Sequence, residues 1–349
     1  MLRERERLVI QIPDNTMKSV IEKGESIYRQ TSNRWGLFPL HRGVLLLKGK
    51  DRYDFLQRMS TNDMGLLRSH GQARTIFANE KGRIVDWVWL VELNEATMLV
   101  SGYSNADVLR DWIEKFLFVE DVHVIDISEH SRILLLIGPE ARHHLEESIP
   151  AIAVPGSGAR SLLRGDGCDI VAWLDADWKL PGIIIGILGE SAEIERQLGR
   201  FLSSADESPE GSQALESLRV ESGIPSIGKE LTDAVNPLEG GLQDSVSFTK
   251  GCYVGQEVIA RIDTYHKLQR KLCGFSFDKE GASLLKTGTL RRGERNVGQT
   301  TSHVWSYGRS EVIALGYCAT GSYADQIQFV CEGTVGPLAV RVHTLPFSS

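Results

Sequence analysis

The chain has 349 residues, 42% of them hydrophobic and 24% charged, with a formal net charge of −7. That length allows two or three domains with a sizeable core, and the balance is that of an ordinary globular protein. The acidic balance argues against nucleic acid as a partner, though a small basic pocket is compatible with it, and no run approaches the ~18 apolar residues of a membrane span.

In chain order, "MLRERERLVIQIPD" alternates charges before a short apolar run and lacks the character of a secretory signal. "GVLLLKG" (43–49) predicts a strand, and Asp51 a helix cap with the helix running to Met59. "ARTIFANEKGRIVDWVWLVEL" predicts two strands joined at "NEKG", and "TMLVSG" a third. Ser104 with Asp107 predicts a helix start, the helix running to Phe118. "VHVIDI" and "RILLLIG" predict strands, followed by a helix at 139–148 with His143 and His144 on a solvated face. Residues 150–165 predict a loop, "DIVAWLD" and "GIIIGIL" strands, and 190–204 a helix. "SADESPEGS" predicts a linker, and 212–222 a helix ending before "SGIP". From about residue 270, "KLCGFSF", "VGQTTS", "VIALGYC" and "LAVRV" alternate with glycine-rich turns, the pattern of a small β-barrel or sandwich.

The five cysteines, at 168, 252, 273, 318 and 331, include no CxxC pair, so no structural metal site is expected. Dispersed free thiols in odd number fit a reducing compartment, and the expected location is cytoplasmic. One cysteine stands apart. "KGCYVGQEVIAR" sets Cys252 between Gly251 and Gly255, with Lys250 before it and a helical stretch after it. A cation and a helix amino terminus both lower a thiol pKa, which makes Cys252 a candidate thiolate; a small buried residue in a tight turn is the other reading.

"FTKGCYVGQEVIAR" resembles the signature of the YgfZ family, folate-binding-like proteins of iron–sulfur cluster maintenance. The shared positions are Lys250, Gly251, Cys252, Tyr253, Gly255, Gln256, Glu257, Ala260 and Arg261. "LLKGKDRYDFLQRMSTNDM", "FANEKGRIVDWVWLVEL" and "LRVESGIPSIGKELTDAVNPLEGGL" are similar to segments of the family and of its larger relative, the glycine-cleavage T-protein aminomethyltransferase. The likeness runs over residues 40 to 347, with no motif matched between 150 and 210.

The resemblance implies an α+β, three-lobed aminomethyltransferase-like folate-binding fold. Residues 1–40 are then an N-terminal extension, 41–270 a two-lobed body and 271–349 a C-terminal β-barrel domain. It implies a tetrahydrofolate-type ligand. The expected function is an accessory role in iron–sulfur cluster assembly or repair through Cys252, with cluster assembly proteins or cluster-dependent enzymes as partners. Folate-dependent aminomethyl transfer is the alternative.

For the site, the resemblance nominates Cys252 and Asp86 as catalytic residues and Glu239, Lys250, Tyr253, Gln256 and Arg261 as cofactor-binding residues. Glu239 stands where the T-protein pattern carries a pterin-binding Glu, and a carboxylate suits the paired donors of a pterin edge. Arg261 could serve a folate tail or support the Cys252 turn. Asp86 interrupts an apolar strand, so it needs either solvent or a specific partner. Trp87 follows it where the T-protein often has a second acid, and Arg83 replaces a glycine; both departures weigh against aminomethyl transfer. Trp87 and Trp89 share one strand face, core or pocket. Tyr103 and Asn105 are further pocket candidates.

Overall fold

The computed structural model describes residues 14–153, 159–165, 167–277, 288–321, 328–333 and 336–348. The body holds two five-stranded antiparallel sheets. In the first, the strands run in the order Gln72–Ala78, Ile84–Glu92, Ala96–Val100, Val44–Lys48, His123–Asp126. In the second, the order is Gly36–Pro39, Ser131–Ile137, Gly182–Gly189, Cys168–Asp175, Arg160–Leu163. Alternation along the strands explains their stacking. Leu45 and Leu47 join a core with Phe55, Leu56 and Leu109 of the flanking helices, whereas Val44 and Leu46 join one with Leu135 and Trp173 of the other sheet. Successive side chains on a strand point to opposite faces, so one strand serves both cores. The sheets therefore lie back to back with helices outside.

Residues 14–39, expected to be an extension, are built into this body. Gly36–Pro39 pairs with Ser131–Ile137 as an edge strand, and the Asp14–Asn33 helix packs on the Pro209–Ser222 helix. Tyr28 Oη donates to Glu221 at 2.7 Å across that contact. The 150–165 stretch, expected to be a loop, carries the edge strand Arg160–Leu163. The expected linker already contains the next helix start: Pro209 is its first residue, and Ser208 Oγ accepts the Gly211 N–H. Proline lacks an N–H that the first turn leaves unpaired anyway, so there it starts the helix rather than breaking it. Asp51 precedes the Arg52–Met59 helix without a side-chain cap bond; its carboxylate instead accepts from the Asp121 N–H. The later helix is Asp107–Glu114, capped at Ala106 rather than Ser104.

The C-terminal part is a closed barrel of six strands, ordered Arg270–Phe277, Glu311–Ala319, Arg295–Ser306, Thr289–Arg292, Gln328–Gly333, Gly336–His343. Closure leaves no unpaired strand edge. Phe275, Phe277, Leu290 and Val342 fill its interior. Its other face, through Leu272, Leu315, Tyr317 and Phe347, packs on Ile76, Ile84 and Trp87 of the first sheet. No described helix is long and apolar enough to cross a membrane.

Candidate functional site

A cavity of about 230 Å³ lies where the two sheets meet the Pro209–Ser222 helix and the 224–227 loop. Trp87, Trp89, Ser101 and Gly102 wall it from the first sheet, and Asp175 and Ile184 from the second. Glu216, Arg219 and Ser226 close the third side.

Asp86, beside Trp87 and fully buried, is held by three donors. Ser101 Oγ donates at 2.6 Å to one carboxylate oxygen; the Trp87 and Gly102 N–H groups, at 2.7 and 3.0 Å, donate to the other. Burial nonetheless raises its pKa from 3.8 to about 6, against the opposing pull of those donors and of Arg42. Of the two outcomes the strand pattern left open for Asp86, solvent or a specific partner, the structure shows the second. Arg42 lines the same cavity and donates to the Gly102 carbonyl; burial, and secondarily Arg74, lowers its pKa.

Trp87 and Trp89 are at once core and cavity wall, and Arg74 lies over both. Its guanidinium carbon is 3.4 Å from the Trp87 ring centre and 4.6 Å from that of Trp89. Arg74 Nη1 also reaches Asp177 at 2.9 Å and Asp175 at 3.5 Å, tying the first sheet to the second. Burial raises the Asp175 pKa while Arg74 opposes it. On the third wall, Arg219 pairs with Glu216 at 2.7 Å and with Glu230 at 3.1 Å. Glu230, fully buried, also accepts from Thr301 and Ser302, both at 2.6 Å. Arg42, Arg74 and Asp175 belong to no motif read from the sequence, and Arg219, though inside the segment similar to the T-protein, was not singled out. An arginine inside an alternating apolar strand, as Arg74 is in "ARTIFA", was the available signal.

Glu239 and Arg261 lie elsewhere, in a second cavity of about 400 Å³ lined also by Arg83, Tyr265 and Lys267. Glu239 is buried and bonded to Arg83 and Arg270, each at 3.3 Å. Both arginines also donate to the Ala234 carbonyl. Asp86 and Glu239, nominated together, thus do not share a cavity. Of the weaker pocket candidates, Tyr103 is half-buried and Asn105 exposed, and neither lines the central cavity. His143 is exposed as expected, but His144 stacks on Trp35 with ring centres 3.6 Å apart.

The Cys252 phrase divides its labour. Lys250 Nζ donates to the Ser60 and Asn62 carbonyls at 2.9 and 2.6 Å, and burial lowers its pKa to about 8. Tyr253 is buried against the barrel-facing core, and burial pushes its pKa up to about 12. Gly255 has φ +83°, and a Cβ there would stand 2.5 Å from the Asn79 carbonyl oxygen, so the β-hairpin turn can approach only a glycine. Gln256, half-buried, opens the Gln256–Thr264 helix. Cys252, four residues before that start, is exposed, while the described cysteines 168, 273 and 318 are buried. The Val254 N–H donates to the Arg58 carbonyl, and Arg58 pairs with Glu120 at 3.0 Å. The Glu120 carboxylate also accepts the N–H groups of Phe118 and Val119. Those two residues stand 83% and 94% exposed, an apolar tip linked to the cysteine loop through Glu120 and Arg58.

Two back-to-back sheets, a capping helix and a docked barrel around a central cavity define a GcvT-like fold. The GCVT N-terminal domain family matches residues 21–157. The chain superimposes on the crystal structure of the glycine cleavage system aminomethyltransferase T of Bartonella henselae with a TM-score of 0.77. That match has 21% identity over 94% of this chain and 89% of that one. A chloroplastic protein of Arabidopsis thaliana named as a transferase is 26% identical over 282 residues, 79% of this chain; the match spans 63% of that protein's length. The aminomethyltransferase of Symbiobacterium thermophilum is 27% identical over 344 residues, 94% of this chain and 89% of that protein. That of Thermotoga petrophila is 28% identical over 309 residues, 85% and 82% of the two chains. Together these matches support the GcvT-like superfamily.

Proposed function

We propose that the central cavity binds a tetrahydrofolate-type ligand and that the protein acts as an accessory factor in iron–sulfur cluster assembly or repair, with Cys252 as its reactive group. Support for the ligand comes from the cavity. Its indole walls suit a flat ring, its buried donors suit ring acceptors, and about 230 Å³ has room for a bicyclic head with the tail reaching out. A reduced folate, when bound, supplies a one-carbon carrier. The chain's own residues hold the ring at the cavity wall and keep water from Asp86.

The observation that carries the accessory role is the division of the KGCYVGQE phrase. Its lysine, tyrosine and second glycine are tied into the fold, and its cysteine is exposed where the other described cysteines are buried. One thiolate cannot hold a cluster, which takes about four ligands. A partner must supply the others, and the exposed Phe118–Val119 tip gives such a partner apolar surface to cover. The test is complementation of a strain lacking the gene, read out by the activity of cluster-dependent enzymes. Cys252→Ser should fail to restore it, and restoration at wild-type level would end this reading.

The second reading is aminomethyl transfer. Asp86 favours it: a carboxyl with a pKa of about 6, next to the cavity, can exchange a proton near neutral pH. Folate-dependent release of ammonia from an aminomethylated lipoyl carrier by the purified protein would establish it.

A further inference from the structure

Three guanidinium groups line the central cavity, and their pairing differs. Arg219 donates to Glu216, Glu230, Ser302 and the Ile224 carbonyl, a full set of structural partners. Arg42 donates to the Gly102 carbonyl. Arg74 has partners for Nη1, but its Nε–H is buried with no acceptor among the described residues. An unpaired buried donor of this kind is destabilising, so the site gains whenever an acceptor is brought to it. The strand register explains why the group stays there. Arg74 sits directly opposite Trp89, with Trp87 two positions along on the same face. The two indoles and Asp177 hold the guanidinium at the cavity wall.

We propose that Arg74 is the ligand-reading residue of the central cavity: seated on Trp87, it offers the unpaired Nε–H at the edge of its guanidinium to an acceptor on a flat heteroaromatic ligand lying edge-on to it. This rests on the folate reading above and assigns ring recognition to a donor rather than to a carboxylate. A pterin offers matching acceptors in its oxo group and ring nitrogens. Guanidinium is suited to the task because it is planar, stacks on aromatic rings and keeps directed N–H groups at its edge; an ammonium does neither.

The test is a tryptophan-fluorescence titration of the full chain with 5-formyltetrahydrofolate, and with para-aminobenzoyl-glutamate as a ringless probe. The wild type should bind the first and barely respond to the second. Arg74→Lys keeps a cation over the indoles, and should bind 5-formyltetrahydrofolate about 10- to 100-fold more weakly, the loss expected for one hydrogen bond from a charged donor. A second measurement needs no variant for its readout: the Arg Nε–H signals of the wild type in a ¹⁵N-correlated NMR spectrum. The signal missing from Arg74→Lys should shift when ligand is added. Equal affinities, or an unmoved Nε–H signal at saturation, would overturn the assignment to Arg74 alone. A wild type that binds no folate would overturn the folate reading and this inference with it.

Discussion

The central cavity and the Cys252 loop solve opposite problems. The cavity buries ionisable groups and surrounds each with partners drawn from distant parts of the chain: Asp86 with Ser101 and Gly102, Arg74 with Asp175, Arg219 with Glu230. The loop exposes its one ionisable sulfur and uses its neighbours as scaffolding. In the first region, chemistry and stability are the same interactions, so a change to one disturbs the other. In the second they are separate, and a residue can lose its function without loosening the fold.

That contrast can be broken or sharpened by substitution. The largest effect is expected beside the cavity wall, where Glu230→Ala removes the buried carboxylate shared by Arg219, Thr301 and Ser302 and leaves Arg219 with Glu216 as its one acidic partner among the described residues. Removing one member of a buried pair costs about 3–5 kcal/mol, and the midpoint of urea unfolding should fall accordingly. The next is a pH effect. Folding raises the Asp86 pKa from 3.8 to about 6, so between those values the folded chain keeps a proton that the unfolded chain has released. The stability owed to this group is complete below pH ~4 and is lost as pH rises through ~6, on the order of 3 kcal/mol in all. Unfolding of Asp86→Asn, followed from pH 4 to 7, should lack that decline.

On the loop, Lys250→Met leaves the Ser60 and Asn62 carbonyls without their donor. It should cost about 2 kcal/mol and weaken complementation by loosening the loop. The smallest stability effect is expected at Cys252 itself. Cys252→Ser should change the unfolding free energy by less than about 0.5 kcal/mol, as exposed substitutions do, while abolishing complementation. A large destabilisation there would erase the distinction between the two regions.

Much of the architecture was legible. The β-hairpin at "NEKG", the apolar strands and the glycine-punctuated barrel follow from periodicity and turn chemistry, because both act over a few residues. Two of the misread stretches were edge elements. Gly36–Pro39 and Arg160–Leu163 have four residues each, too few to display a period, and their strand character comes from the neighbour they pair with. At the site, Asp86 announced itself as an acid in an apolar strand. Arg74 gave the same kind of signal but belonged to no recognised motif. Glu239 drew attention through its place in the T-protein pattern, and only the structure puts it, bonded to Arg83 and Arg270, in a cavity that Asp86 does not line.

The sequence by itself determined the elements, the barrel at the carboxy end and the phrase that presents Cys252, since each depends on residues within about a dozen positions of one another. Tertiary structure alone decided the cavity. Its walls come from both sheets, a helix and a loop, from Leu40 to Ile227. The ionisation of Asp86 and the open donor of Arg74 depend on which distant groups reach them and which do not. Burial and Coulomb interactions act through space, and no local pattern in the chain records that distance.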